Sequence, residues 1–352
     1  MLINFLLSLL FTLSHAIPLH TPNRAAPTIT LTPTSVASFP KGTWLENLAI
    51  RQSDGNALVT ILSAPEVYLI STNNEFAPIK VATFPNALGC LGIVELRHDI
   101  FYVVVGNWSA STGLSTLGSY SVWEIDMRDP ERSPKTRKIA DLPESGFLNG
   151  MTILDPVLGV LLVSDSYYEA VWSVDVYTGE VAVAVNDTTM ATVPGASPAL
   201  GINGVHLLDE DLYYSNTNKA TFNKISVDVH TGKATGPAEI LLQSTTGEIF
   251  PDDFTIDTHG NVWLASDLYG ELDLLTGAAF GTGTMTLDIV AGSRNDKSNT
   301  GWTSAQFGTR KEDVKRGSLY VTTNGGPLNY IYQNWTAGGM LIRLDTVELG
   351  LY

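Results

Sequence analysis

The chain has 352 residues, with 20 basic against 36 acidic side chains and a formal charge of −16. That surplus of acid argues against nucleic acid and anionic membrane as partners, since both need a basic patch. A single cysteine, Cys90, excludes an intramolecular disulfide and any cysteine-based metal motif.

Residues 1–16 read as a secretory signal peptide, because an apolar run, 2–13, precedes the small residue Ala16. The run is too short for a spanning helix, so no membrane association is expected after cleavage. Residues 17–27 read as a flexible, proline-containing arm, and 28–352 as one domain. A secretory route fits three glycosylation triplets, at Asn107-Trp-Ser109, Asn186-Asp-Thr188 and Asn334-Trp-Thr336.

Residues 28–39 alternate loosely and predict a strand that helps close the array. From Trp44 onward one grammar recurs: a polar anchor, a strand, a tight polar turn, a strand. It is found at Trp44-Leu-Glu-Asn-Leu-Ala-Ile50, Leu148-Asn-Gly-Met-Thr-Ile-Leu154, Gly201-Ile-Asn-Gly-Val-His-Leu-Leu208 and Pro251-Asp-Asp-Phe-Thr-Ile256. The anchors Glu46, Asn149, Asn203 and Asp252 are spaced by 103, 54 and 49 residues, the first gap being two periods. Second-strand ends at Thr60, Val105, Ser164, Ser215, Ser266 and Thr323 step by 45, 59, 51, 51 and 57. A strand-containing period near fifty marks a radial repeat. Six units fit, which predicts an all-β, six-bladed β-propeller of four-stranded antiparallel blades. A charged insert, 309–317, interrupts the sixth unit, and no useful amphipathic helical stretch follows the signal peptide.

The chemistry is bounded by what is missing. Of six histidines only His206 lies in a strand, and its odd spacing from Asn203 puts it on the other face of the pleat. No Ser-His-Asp triad has a credible histidine, and no HExxH, P-loop or G-x-S-x-G occurs. What is present is the fourfold register of Glu46, Asn149, Asn203 and Asp252, which a radial array gathers about its axis. Two carboxylates and two amide oxygens form a hard set suited to Ca²⁺ or another divalent cation. Taken singly, each also serves to cap a turn where a strand begins. Loops leaving the second strands open on the same face. With Trp44, Phe147, Tyr167, Tyr269, Trp302 and Asn324 they offer a pocket for an apolar small molecule. No organic cofactor is implied, and oligomeric state is not legible.

Over residues 37–347 the chain resembles the six-bladed propellers of the senescence-marker/gluconolactonase-like group. The resemblance is carried by Glu46 in Leu-Glu-Asn, Asn149 in Asn-Gly-Met, Asn203 in Asn-Gly-Val and Asp252 in Pro-Asp-Asp. It implies that these four residues hold a metal. Two departures stand out: Phe147 occupies the place of an arginine that receives sugar acids, and Gly150 that of an aspartate. With the signal peptide, the Trp44–Ile50 stretch is most similar to a fungal secretory branch that includes hetero-Diels–Alderases. That branch implies a natural-product enzyme joining a quinone-methide type polyketide intermediate to an apolar olefin such as a terpene. Asp252 and Glu46 are then the acid and base candidates. The alternatives are a metal-dependent lactonase, with the cation polarising the carbonyl, and a secreted binding propeller without catalysis.

Overall fold

A computed structural model describes residues 30–109, 111–129, 133–244, 249–279, 285–293, 301–326 and 337–351. The signal peptide, the arm and the Asn334 triplet lie outside these. The architecture is the expected one: six four-stranded antiparallel sheets. Blade 1 is Leu45–Ile50, Ala57–Ile61, Glu66–Ile70 and Ile79–Thr83. Blade 2 is Gly89–Arg97, Ile100–Gly106, Tyr120–Asp126 and Lys135–Leu142. Blade 3 is Leu148–Asp155, Val160–Asp165, Ala170–Asp175 and Val181–Asn186. Blade 4 is Ile202–Leu208, Asp211–Asn216, Thr221–Ser226 and Glu239–Gln243. Blade 5 is Pro251–Ile256, Val262–Ser266, Glu271–Thr276 and Thr286–Gly292.

Blade 6 closes the ring. Its inner three strands, Trp302–Phe307, Ser318–Thr323 and Met340–Asp345, come from the end of the chain, and its outer strand is Thr34–Ser38. Thr34 pairs with Arg343 and Ser38 with Met340, so the two ends of the propeller are joined by backbone hydrogen bonds. A second clasp is made by side chains. The 309–317 insert holds one short helix, Lys311–Arg316, too brief to show a helical period in sequence. Its N-cap residue, Arg310, reaches into blade 1. There it donates to the Asp54 carbonyl at 2.7 Å, to Asn56 Oδ1 at 2.6 Å and to Thr72 Oγ1.

The inner strands share one irregularity. Each carries a one-residue bulge near its start: between Leu45 and Leu48, Cys90 and Ile93, Leu148 and Met151, Ile202 and Val205, Pro251 and Phe254, and Trp302 and Ser304. A bulge leaves an extra residue outside the ladder. Hydroxyls on the second strands meet several of the backbone groups that result. Thr60 Oγ1 donates to the Asn47 carbonyl at 3.2 Å, Ser164 Oγ to the Asn203 carbonyl, and Ser215 Oγ to the Asp252 carbonyl. The inner strands also crowd one another. A Cβ on Gly150 would lie 2.9 Å from the Asn203 carbonyl oxygen, so glycine after Asn149 is a packing requirement. Between the blades lie aromatic and branched side chains. Trp263, Trp302, Leu272 and Leu319 form one such layer with no exposure.

Arg310→Ala leaves the Asp54 carbonyl without its side-chain donor and the buried Asn56 Oδ1 with only the longer bond from Thr72 N, at 3.3 Å, and should cost about 1–3 kcal/mol. Denaturant unfolding should show this loss while cation affinity, measured separately, stays at the wild-type value.

Candidate functional site

Glu46, Asn149, Asn203 and Asp252 are each the second residue of an inner strand and each sits within a bulge. They are buried, at 4–6% exposure, and line one cavity of about 40 Å³ together with Thr217 and Asp267. The fourfold register seen in the sequence is therefore real convergence. The two remaining blades contribute no free oxygen from the equivalent positions: Leu91 is apolar, and the Thr303 hydroxyl is bound to the Leu45 carbonyl at 2.9 Å and to Thr322.

The amides are turned so that their oxygens are spare. Asn203 donates its NH₂ to Thr217 Oγ1 at 3.0 Å, and Thr217 donates in turn to the Pro251 carbonyl. Asn149 donates to Ser166 Oγ at 3.4 Å. The Oδ1 of Asn203 and the Oε2 of Glu46 are buried without a hydrogen-bond partner. Burial pushes Glu46 up to about 8, with Asp253 adding to the rise and the Trp44 indole opposing it. Asp252 is raised well above its ordinary value by burial, then by Glu46, Asp267 and Asp253. Asp267 is raised by burial and then by Glu46. Among the described residues no basic group acts on any of the three.

Mutually repelling buried acids beside orphaned amide and carboxylate oxygens fit a hard divalent cation. Among the described residues no three His, Cys, Asp or Glu side chains are grouped to hold a metal by themselves. The oxygen set thus depends on its two amides.

The other half of the cavity is aromatic. Trp44, Leu62, Trp108, Phe147, Pro198, Leu200 and Phe250 complete the lining. Trp108 meets Trp44 edge-on at 5.1 Å and stacks on Phe147 at 6.4 Å. Phe147 is fixed by one carboxylate. Asp165 accepts the N–H groups of Gly146 and Phe147 at 2.8 Å, of Tyr168 at 2.9 Å, and the Trp172 indole at 3.1 Å. Asn218 fixes the 191–200 loop, accepting from Leu200 N at 2.6 Å and donating to the Pro198 carbonyl at 3.3 Å.

Several expectations need correction. Trp302 is not a pocket wall: it has no exposure and packs between blades 5 and 6. Tyr167 lies behind Phe147 at 5.4 Å, and Tyr269 behind Phe250 at 6.5 Å, so both support the lining without belonging to it. Asn324 is a brace, donating to Asp267 Oδ1. His206 does not face away from the axis, because the bulge between Ile202 and Val205 shifts the alternation by one. It lines a second cavity on the axis with Asn47, Glu95, Thr152 and Gln306, and contacts Asp253 at 3.1 Å. Asp253 also accepts from Asn47 and Ser304, each at 2.8 Å. Asp253 stands between that serine and the imidazole, so no Ser-His-Asp order is formed.

Trp108, Leu62, Pro198, Leu200 and Phe250 carry no pocket signal in the sequence, whereas Thr217 and Asp267 fall in the loops that leave second strands on this face. Those two share a readable signal: the residue just after the second strand is Ser166, Thr217, Asp267 and Asn324 in blades 3 to 6, polar each time. Of the glycosylation triplets, Asn186 is exposed at a strand end, while Asn107 is half-buried with its Oδ1 sealed.

Fold and site together define a six-bladed propeller with an acidic, amide-lined axial cavity under an aromatic wall. No family model matches the chain. It is 27% identical over 311 residues to a Phoma sp. protein provisionally named a hetero-Diels-Alderase, covering 81% of this chain and 85% of that one. A Sarocladium schorii protein given the same provisional name is 24% identical over 319 residues, covering 82% and 77%. Among solved structures, a luciferin-regenerating enzyme superposes with a TM-score of 0.63 at 15% identity, covering 90% of this chain and 95% of that one. The calcium-binding protein regucalcin of Agrobacterium tumefaciens gives 0.61 at 15%, with 90% and 94% covered. A gluconolactonase of Xanthomonas campestris gives 0.57 at 11%, with 92% and 97% covered. At these identities the solved structures speak to the fold alone.

The raised Glu46 carboxyl has a stability consequence. Its contribution is full below its ordinary value of 4.5 and is lost as pH rises through about 8. Thermal unfolding in chelator should therefore show stability falling across that window. Glu46→Gln should flatten the fall, and calcium should restore the wild type at the upper end. An unchanged slope in the variant would mean that Glu46 ionises freely.

Proposed function

We propose that the protein is an enzyme that orients an apolar intermediate for cyclisation or hetero-Diels–Alder cycloaddition, acting in the secretory pathway. The observation that carries this reading is the division of the cavity: an aromatic wall on blades 1 to 3 faces buried carboxyls on blades 1 and 5. A cycloaddition needs two partners held in near-attack geometry and a donor that polarises a carbonyl. It needs no nucleophile, and among the described residues none is presented with an aligned base. The enclosed space of about 40 Å³ takes an ion and a water or two. The substrate's polar head enters it, and the body lies outside against Trp108, Phe147, Pro198 and Phe250. A quinone-methide type polyketide with an olefin such as a terpene suits that division. Similarity to the two proteins named hetero-Diels-Alderase supports the reading.

Glu46, Asn149, Asn203 and Asp252 would hold the cation, which would supply Lewis-acid polarisation of a substrate oxygen. Phe147 and Trp108 exclude water above it, and Asp165 keeps Phe147 in place. The orphaned oxygens also favour a second reading, a divalent-metal-dependent lactonase, which the gluconolactonase-like fold accommodates.

Phe147→Arg separates the two. It should slow adduct formation from a quinone-methide precursor and a cyclic terpene by about a hundredfold, through lost positioning. Hydrolysis of sugar and aliphatic lactones by the wild type should stay at background. Rapid, metal-dependent lactone hydrolysis that improves in the arginine variant, with no effect on adduct rate or stereochemistry, would reverse the assignment.

A further inference from the structure

The residue just before each inner-strand bulge alternates around the ring: Trp44, Gly89, Phe147, Gly201, Phe250 and Gly301. Hydrogen bonding shows that the six places are equivalent. The carbonyls of Trp44, Phe147, Gly201, Phe250 and Gly301 each accept the N–H of the residue after the second strand, at 2.7–3.1 Å, and Gly89 pairs with Gly106. Side chains are shut out at the glycines. A Cβ on Gly89 would run into the Leu62 carbonyl, one on Gly201 into that of Met190, and one on Gly301 into the Asn324 amide. Blades 1, 3 and 5 carry the aromatics, and all three line the axial cavity. Each has a second ring set across it. Trp108 meets Trp44 at 5.1 Å and 73°, Tyr167 meets Phe147 at 5.4 Å and 64°, and Tyr269 meets Phe250 at 6.5 Å and 72°. An apolar lining alone is satisfied by aliphatic side chains, as Leu62 and Leu200 show in the same cavity. Three braced rings spaced around one axis add an electrostatic property, because an aromatic ring is negative on its faces.

The ionisable side chains lining this cavity, Glu46, Asp252 and Asp267, are all acids, and the chain carries a net charge of −16. Ring faces and the field of the whole protein act in the same direction, in favour of positive charge. A dication on the floor is matched in charge by Glu46 and Asp252, which leaves the collar to act on the substrate. We propose that Trp44, Phe147 and Phe250 form a collar that stabilises positive charge on the apolar body of the substrate, so that the olefin partner is an electron-rich, branched alkene. The identity of that partner rests on the cycloaddition reading above. In the step, the olefin π pair forms a bond to the exocyclic carbon of the quinone methide, whose ring takes up an electron pair at oxygen and becomes a phenolate. Positive charge develops on the more substituted olefin carbon, among the collar rings. A phenolate lone pair then closes on that carbon. Every atom is retained and no co-reactant is needed.

The test uses two probes of one shape: choline, and its uncharged isostere in which a tert-butyl group replaces trimethylammonium. Calorimetric titration of the full chain in calcium-containing buffer should give choline an affinity about tenfold above that of the isostere. Phe250→Leu, at the half-buried member of the collar, should bring the two affinities together by weakening choline alone. Phe147→Leu, read in the same way, guards against a variant that does not fold. Equal affinities on the wild type, or no binding of either probe, would overturn the proposal. So would a preference that survives both substitutions, which would assign it to the carboxyls. A second arm follows adduct formation from an ortho-hydroxybenzyl alcohol and a series of para-substituted styrenes. Electron-releasing substituents should speed the wild type more steeply than Phe250→Leu, and equal slopes would remove the collar from the reaction. If no styrene reacts on the wild type, the cycloaddition reading fails and the olefin assignment with it, whereas the probe pair still decides whether the collar takes positive charge.

Discussion

A carboxyl taken out of water needs a partner for its charge or must keep its proton. At one end of the propeller axis Glu46, Asp252 and Asp267 are buried around one small cavity, and no basic group among the described residues acts on them. That arrangement costs stability, and its upkeep explains features that packing alone does not. The amide hydrogens of Asn149 and Asn203 are tied back to Ser166 and Thr217, leaving Asn203 Oδ1 without a partner. A site with this much unspent acceptor capacity is complementary to a cation or a proton donor, and to little else.

The repeat makes such a site constructible. Every inner strand is bulged at the same level, so consecutive residues serve different levels of the axis. Glu46 lines the upper cavity and Asn47 the lower; Asp252 lines the upper cavity, while Asp253 ties His206, Asn47 and Ser304 together beneath it. Ring closure by Thr34–Ser38 and by Arg310 keeps blades 1 and 6 in register, which matters because Glu46 belongs to blade 1 and its acidic neighbours to blade 5.

The blade count, most strand positions and the four axial anchors were legible because a radial repeat writes the same polar residue at the same point of each unit. The bulges were not legible, since inner strands buried on both faces, as Leu45–Ile50 is, show no alternation for an extra residue to shift. That is why His206 was assigned to the wrong face. Trp302 was misread for a related reason: it begins an inner strand as Leu45 and Leu148 do, and all three point between blades rather than into the cavity. Trp44 and Phe147, one residue earlier, do line it. Trp108 escaped notice because a two-residue hairpin strand, Trp108–Ser109, carries it there from outside the repeat.

Crystals grown with a lanthanide in place of calcium, measured for anomalous scattering, test the central claim most directly. The account expects one strong peak on the axis, about 2.3–2.6 Å from oxygens of Glu46, Asn149, Asn203 and Asp252. A fully occupied lanthanide elsewhere on the acidic surface, with no peak at the axis, would contradict it.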